Sequence, residues 1–303
     1  MAIWNRHVQT AETVNCLYYP FISFYQEDEI MIFDGHIHIT EGDLNPGPFL
    51  QQLHSVDIDG GIVVSIDPPG YAQAGRPAAP ERVEQVVGLC DEEENLFPFF
   101  WIDPLEDDAS EQISMAVEKG INGFKVICDR YLPENERAMA IFRKIADAGF
   151  PIMFHSGILW DGKPSSHFNR PAGFECLLDV KGLRFSLAHI SWPWVDECIA
   201  VYGKFLNAAS NNKAACDQMF IDTTPGTPEI YRMEALTRLF TVGYEVKDNV
   251  WFGTDSRANG YNAAWARTWV DRDREILKEL KITEPETEQY FSKNLLRFVK
   301  GTR

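Results

Sequence analysis

The chain has 303 residues, 45% of them hydrophobic, and a formal net charge of -17, enough length and apolar content for a sizeable buried core. That charge disfavours nucleic acid and anionic membranes as partners, because no concentrated basic surface is offered to phosphates. No apolar run approaches the ~20 residues that span a bilayer, and no basic-then-apolar leader pattern opens the sequence. The six cysteines (Cys16, Cys90, Cys128, Cys176, Cys198 and Cys216) form no C-x-x-C pair, so the expectation is a cytoplasmic protein with reduced, packed thiols.

Residues 1–30 are aromatic and irregular, with Tyr18-Tyr19-Pro20 followed by Phe21-Ile22-Ser23-Phe24-Tyr25. They read as an extension outside the main domain, either a dimerisation or lid segment or sequence upstream of a true start at Met31. From Met31 onward, short apolar runs alternate with longer amphipathic stretches. The runs predict strands over 31–38, 61–66, 96–102, 121–127, 150–155, 184–189, 218–222 and 250–254. Helices are expected near 47–56, 80–94, 107–119, 134–148, 173–180, 193–206, 229–243 and 262–280, with one more from Thr283 to Val299. In the fourth of these, Ala138, Ile141, Phe142, Ile145 and Ala146 recur at helical spacing, and Gly149 supplies a stop. Asp107 and Ser110 read as caps for the third.

Eight strand–helix alternations predict an α/β fold, a (β/α)8 TIM barrel over residues 31–303, since eight parallel strands close around a packed interior. An open doubly wound sheet is the alternative, but no G-x-G-x-x-G or P-loop follows any strand. No G-x-S-x-G elbow supports a serine hydrolase.

The run Ile30-Met31-Ile32-Phe33-Asp34-Gly35 ends in His36-Ile37-His38. Residues i and i+2 of a strand share a face, so the two imidazoles project together and form half of a divalent metal site. His155, His189 and Asp255 also end apolar runs, and Lys125 ends the fourth. A barrel gathers these strand exits at one mouth, where such folds carry their active sites, and the set supplies imidazole and carboxylate ligands for zinc, manganese or iron. Specificity is expected from the loops. Ser156 to Pro171 carries Trp160, Asp161, Lys163, His167 and Arg170, while the other loops offer Tyr71, Arg76, Arg130, Tyr131, Arg257 and Asn259. Arg257, two residues beyond Asp255, is the best single candidate for clamping a substrate carboxylate.

The pattern resembles the amidohydrolase superfamily, and within it the amidohydrolase-related group that includes aminocarboxymuconate semialdehyde decarboxylase. The resembling residues are Phe33-Asp34-Gly35-His36-Ile37-His38, Gly123-Phe124-Lys125-Val126, His155-Ser156-Gly157 and Ala188-His189-Ile190-Ser191-Trp192-Pro193-Trp194-Val195-Asp196-Glu197. They continue with Phe220-Ile221-Asp222-Thr223, Phe252-Gly253-Thr254-Asp255 and Asn294-Leu295-Leu296-Arg297-Phe298, in the expected order over about 31–299. The resemblance implies a metal held by His36, His38, His155 and Asp255, with Asp255 as proton acceptor for a metal-activated water. It implies that His189 stabilises developing negative charge or, in a two-metal site, binds a second ion; Lys125 bridges both ions there. One ion per chain, zinc before manganese or iron, is the expectation.

Two functions follow from the resemblance. The first is a metal-dependent hydrolase of an amide, ester or lactone. The second is a decarboxylase or hydratase on the same scaffold. Either takes a small-molecule substrate, for which Arg257, Lys125 and Trp160 are the candidate contacts. A catalytically silent barrel is a third class, against which the intact ligand set argues. The eight tryptophans and the aromatic N-terminal segment are material for self-association.

Overall fold

The computed structural model describes residues 30–40, 44–71, 75–211 and 218–301. Of the expected N-terminal extension, only Ile30 is among them, so that expectation lies outside the described residues. Strands β1 (Phe33–His38), β2 (Gly60–Val64), β3 (Leu96–Trp101), β4 (Gly123–Val126), β5 (Ile152–Phe154), β6 (Arg184–Leu187) and β7 (Gln218–Asp222) follow one another around the sheet. The eighth position is shared by β8 (Val250–Trp251), which pairs with β7, and β9 (Ser256–Arg257), which pairs with β1. All pairings are parallel. The two ends of the sheet are therefore one short segment of chain, and Gly35 N–H donates to the Phe252 carbonyl at 3.0 Å to join β1 to it. This is the (β/α)8 barrel that eight alternations predict.

Helices α1 (Pro46–His54), α2 (Ala79–Cys90), α3 (Ala109–Glu118), α4 (Glu136–Asp147), α5 (Val195–Asn211), α6 (Arg232–Thr241) and α7 (Ala263–Glu279) form the outer layer. Their apolar faces bury against the outward side chains of the strands. In α4 the five periodic residues are all buried, Asn135 Oδ1 accepts from the N–H groups of Arg137 and Ala138, and Gly149 takes the positive φ of 84° that ends the helix. None of the described helices is long and apolar enough to cross a membrane.

Local expectations fail at three places. The stretch expected as a helix over 173–180 is a 3-10 helix, Pro171–Asp179. The N-cap position of α3 is Asp108; Asp107 instead pairs with Arg137, and Ser110 accepts from Lys144. The last helix is α8 (Glu284–Glu288) and α9 (Asn294–Lys300) joined by a π-turn over Gln289–Lys293. The wider turn lets the adjacent residues Tyr290 and Phe291 both bury.

The barrel interior is filled by Phe33, Ile62, Val64, Phe97, Phe99, Phe220 and Trp251, and α9 closes it with Leu295, Phe298 and Val299. Phe298 packs on Trp251 at a ring-centroid distance of 4.5 Å. Gly123 is required here, because a Cβ would lie 2.4 Å from the Phe99 ring.

Strict alternation along β1 would defeat the site. Phe33 belongs to the interior cluster, so alternation alone would send Ile37 inward and both histidines out. The pairing with β2 instead shifts between Asp34 and Ile37. That irregularity reverses the phase: Ile37 joins the outer core, and His36 and His38 point into the mouth.

Candidate metal centre and active site

His36 is fully buried. Its Nδ1–H donates to Asp222 Oδ2 at 2.6 Å, because the other oxygen, Oδ1, already accepts from the N–H of Thr224 at 2.7 Å and from its hydroxyl. The proton therefore sits on Nδ1 and the Nε2 lone pair is bare. Toward that lone pair converge His38 Nε2 at 3.0 Å, Lys125 Nζ at 3.2 Å and Asp255 Oδ1 at 3.9 Å. Asp255 Oδ1 also lies 3.4 Å from His38 Nε2.

Electrostatics keep these groups in ligand form. Burial pushes the His36 imidazole well below its ordinary pKa, with the Lys125 cation adding to the effect. Burial likewise takes His38 down to about 4. Enclosure in the cleft works to raise the Asp255 carboxyl, but the imidazoles of His36, His189 and His38 and the Lys125 ammonium hold it below the usual range. At neutral pH the trio is two neutral imidazoles and one carboxylate. Their ligand atoms lie 3.0, 3.4 and 3.9 Å apart, near the ~3.3 Å separations that bonds of ~2.0–2.1 Å impose on a tetrahedral zinc site. The donor set thus fits a divalent transition metal.

The backbone around the trio is held from below. Asp34 accepts from Thr254 N–H at 2.8 Å, the Thr254 hydroxyl at 2.5 Å, Tyr261 OH at 2.8 Å and His36 N–H at 3.1 Å. Burial raises its carboxyl to about 6 despite these donors. The clamp fixes the residue before Asp255, which has a left-handed φ of 58° that a non-glycine residue rarely takes. Thr254 and Asp34 together aim the carboxylate.

The remaining sequence candidates divide. His189 lines the cleft between His36 and His155, at ring-centroid distances of 5.3 and 4.9 Å. It stands on a left-handed turn, with φ of 61° at His189, 44° at Ile190 and 55° at Ser191. Its Nδ1 is buried without a hydrogen-bond partner among the described residues, and burial lowers its pKa. His155 lies outside the three-residue group; its Nε2 contacts the Ile158 carbonyl at 3.2 Å. Lys125 is buried at the floor, and desolvation brings its ammonium down to about 8.

These residues floor a cleft of about 430 Å3, whose walls include Tyr71, Arg76, Trp160 and Arg257. Arg130 pairs instead with Asp103 and Asp129, Tyr131 is buried, and Arg170 pairs with Glu197. His167 packs on Phe168 at 3.8 Å, Lys163 donates to the Tyr71 carbonyl, and Asp161 accepts from Ser165. Asn259 Oδ1 accepts from Thr40 N–H. Sequence reasoning assigned no role to Asp222 or Asp34. The signal for Asp222 was a carboxylate at the end of the seventh apolar run, the same signal that marks Asp255.

A fold of this kind, with imidazoles and a carboxylate gathered at the C-terminal mouth of the barrel, defines the class before any comparison. The comparisons agree: an amidohydrolase family model matches residues 33–300, and the chain belongs to that family of enzymes. Among solved structures it is similar to an amidohydrolase from Burkholderia multivorans with bound zinc, at 11% identity, TM-score 0.61, covering 89% of this chain and 99% of that one. A dihydroorotase from Campylobacter jejuni gives 13% identity and TM-score 0.55 over 90% and 84% of the two chains. A β-aspartyl dipeptidase from Fervidobacterium islandicum AW-1 gives 17% identity and TM-score 0.54 over 89% and 75%. At these identities the likeness is one of fold. No curated protein matches the chain.

Proposed function

We propose that this enzyme hydrolyses a small molecule at an amide, ester or lactone bond, using one divalent ion per chain held by His36, His38 and Asp255. The observation that carries the reading is the convergence of His36 Nε2, His38 Nε2 and Asp255 Oδ1, with the His36 proton drawn to the far nitrogen by Asp222. When bound, such an ion polarises the substrate carbonyl and lowers the pKa of an attacking water. Zinc suits two imidazoles and a carboxylate, and the zinc reported with the Burkholderia multivorans protein supports it.

The side chains then have distinct tasks. Asp255 turns Oδ1 to the two imidazoles, and its Oδ2 accepts the proton of the attacking water and returns it to the leaving group. His189, neutral at pH 7 and beside His36, donates a hydrogen bond to the substrate oxygen as negative charge develops. Lys125 adds a cation at the floor of the same cleft. His155, whose Nε2 contacts the Ile158 carbonyl, serves as the further ligand of this reading once that contact is released.

The resemblance of the motifs to the semialdehyde decarboxylase group supports a competing lyase reading, decarboxylation or hydration, in which the same residues deliver the proton to carbon. Elemental analysis of the wild type beside a His36→Ala/His38→Ala variant tests the metal; about one transition-metal ion per chain, lost in the variant, is expected. No metal after metal-replete growth would overturn the reading. Product analysis on a panel of amides, esters, lactones and carboxylated dienes separates hydrolysis from carbon dioxide release.

A further inference from the structure

We propose that the substrate is a monoanionic carboxylate with an apolar or aromatic body, its carboxylate bound by Arg257; the inference rests on the hydrolase reading above. Among the described residues three cations line the cleft, Arg76, Lys125 and Arg257, and two of them are committed. Arg76 donates Nε and Nη2 to Asp67 at 3.0 and 2.7 Å and Nη1 to the Thr40 carbonyl at 3.1 Å. Lys125 is buried against His36. Arg257 makes no ion pair or hydrogen bond with any described residue, yet it lines the cleft.

Its placement follows from the sheet. Arg257 is the register partner of His38 in the adjacent parallel strand, and Ala258 N–H donates to the His38 carbonyl at 2.8 Å. Register partners on neighbouring strands lie ~5 Å apart and project to the same face. The guanidinium therefore stands on a flexible stem beside a ligand imidazole, within one small molecule's length of the reacting carbonyl. Its planar fork matches a carboxylate in bidentate fashion. This cation, unpaired among the described residues, sits in a chain of net charge -17, which repels polyanions in general and leaves a local attraction for a single negative charge.

The cleft also offers aromatic surface. Trp101 packs between His38 and Tyr71, at ring-centroid distances of 5.7 and 4.7 Å. Trp160 stands at the rim with 79% of its surface exposed, an amount that a bound ring or aliphatic body would cover.

The test is calorimetric binding of matched probes to the metal-loaded full-length protein: hippurate against hippuramide, and N-acetylphenylalanine against its amide. Wild type is expected to bind each carboxylate about tenfold or more tightly than the amide. Arg257→Gln should abolish that preference while leaving the amide affinity within about twofold, and Arg257→Lys should retain part of the preference. Equal binding of both members by the wild type, a preference that survives Arg257→Gln, or no binding of either member at millimolar concentration would each overturn the proposal. Metal content of the same samples reports on the hydrolase reading separately, so the two failures are distinguishable.

Discussion

His36 Nδ1 and Asp222 Oδ2 lie 2.6 Å apart, with both side chains fully buried. They come from β1 and β7, which flank the shared β8/β9 position of the closed sheet, so the bond reaches across that one strand. A carboxylate on the far nitrogen of a ligand imidazole fixes its tautomer and ring plane and raises its basicity. Replacing Asp222 with Asn removes the obligatory acceptor and allows the proton to move to Nε2, where it blocks coordination. Competition with a chromogenic chelator should show metal affinity about 10–100-fold weaker in Asp222→Asn. An unchanged affinity would detach Asp222 from the site.

Gly226 supports His189 from the seventh loop. A Cβ on it would lie 2.7 Å from His189 Cβ and 3.0 Å from Cγ, so Gly226→Ala pushes the imidazole away from its place beside His36. Displacement of a catalytic group by about an ångström costs up to ~100-fold in rate. The expected outcome is kcat reduced about 10–100-fold with metal content intact and the thermal midpoint shifted by a few degrees only. A wild-type kcat would remove His189 from the chemistry.

What the sequence makes legible follows from how local each feature is. The strands are readable because their apolar runs are uninterrupted, and the His36/His38 pair because strand geometry alone puts i and i+2 together. The phase reversal that turns both imidazoles inward depends on pairing with β2 and leaves no mark in composition. Arg76 and Arg130 read as loop arginines beside the favoured Arg257, and the sequence does not show that they are already paired; the fold brings Asp67 and Asp103 against them. His155 ends a strand as His36 and His38 do, and the contact of its Nε2 with the Ile158 carbonyl three residues on is set by the loop's fold. The π-turn near Tyr290 answers a tertiary demand, the burial of two adjacent aromatic rings, which helical periodicity does not encode.

That demand is tied to a buried ionic network. Arg232 on α6 donates Nε to Asp273 Oδ1 at 2.9 Å and Nη2 to Oδ2 at 2.5 Å. It also donates to the Thr223 carbonyl, the residue after Asp222. Tyr290 OH completes the network by donating to Asp273 Oδ2 at 2.5 Å. Arg232 and Asp273 are both fully buried, so removing either leaves an uncompensated charge. Asp273→Asn should lower unfolding free energy by about 3–5 kcal/mol, whereas Arg232→Met/Asp273→Leu should cost clearly less than the sum of the two single changes. Urea denaturation of the wild type, Asp273→Asn, Arg232→Met, Asp273→Leu and the double variant tests this, and additive losses of the last two single changes would show that the pair is not coupled.

Glu286 gives a pH dependence of defined sign away from the active site. Its Oε2 accepts from Thr283 N–H and Oγ1, both at 2.8 Å, and its Oε1 accepts from Lys247 Nζ at 2.6 Å. The Lys247 bond, followed by the Thr283 donors, draws the carboxyl from its ordinary value near 4.5 to about 2. The folded protein therefore binds this proton more weakly than the unfolded chain does. Its contribution to stability is present above the unfolded value and is lost as pH falls from there toward about 2. Glu286→Gln keeps the shape but loses the charge, and a helix cap plus a partly exposed ion pair amount to about 1 kcal/mol. The stability gap between wild type and Glu286→Gln, from urea denaturation, should stand near that size at about pH 7 and narrow steadily below about pH 4.5. A gap that stays constant into acid would mean that the ionised carboxylate contributes nothing, leaving only the hydrogen-bonding shape of the side chain to hold the start of α8.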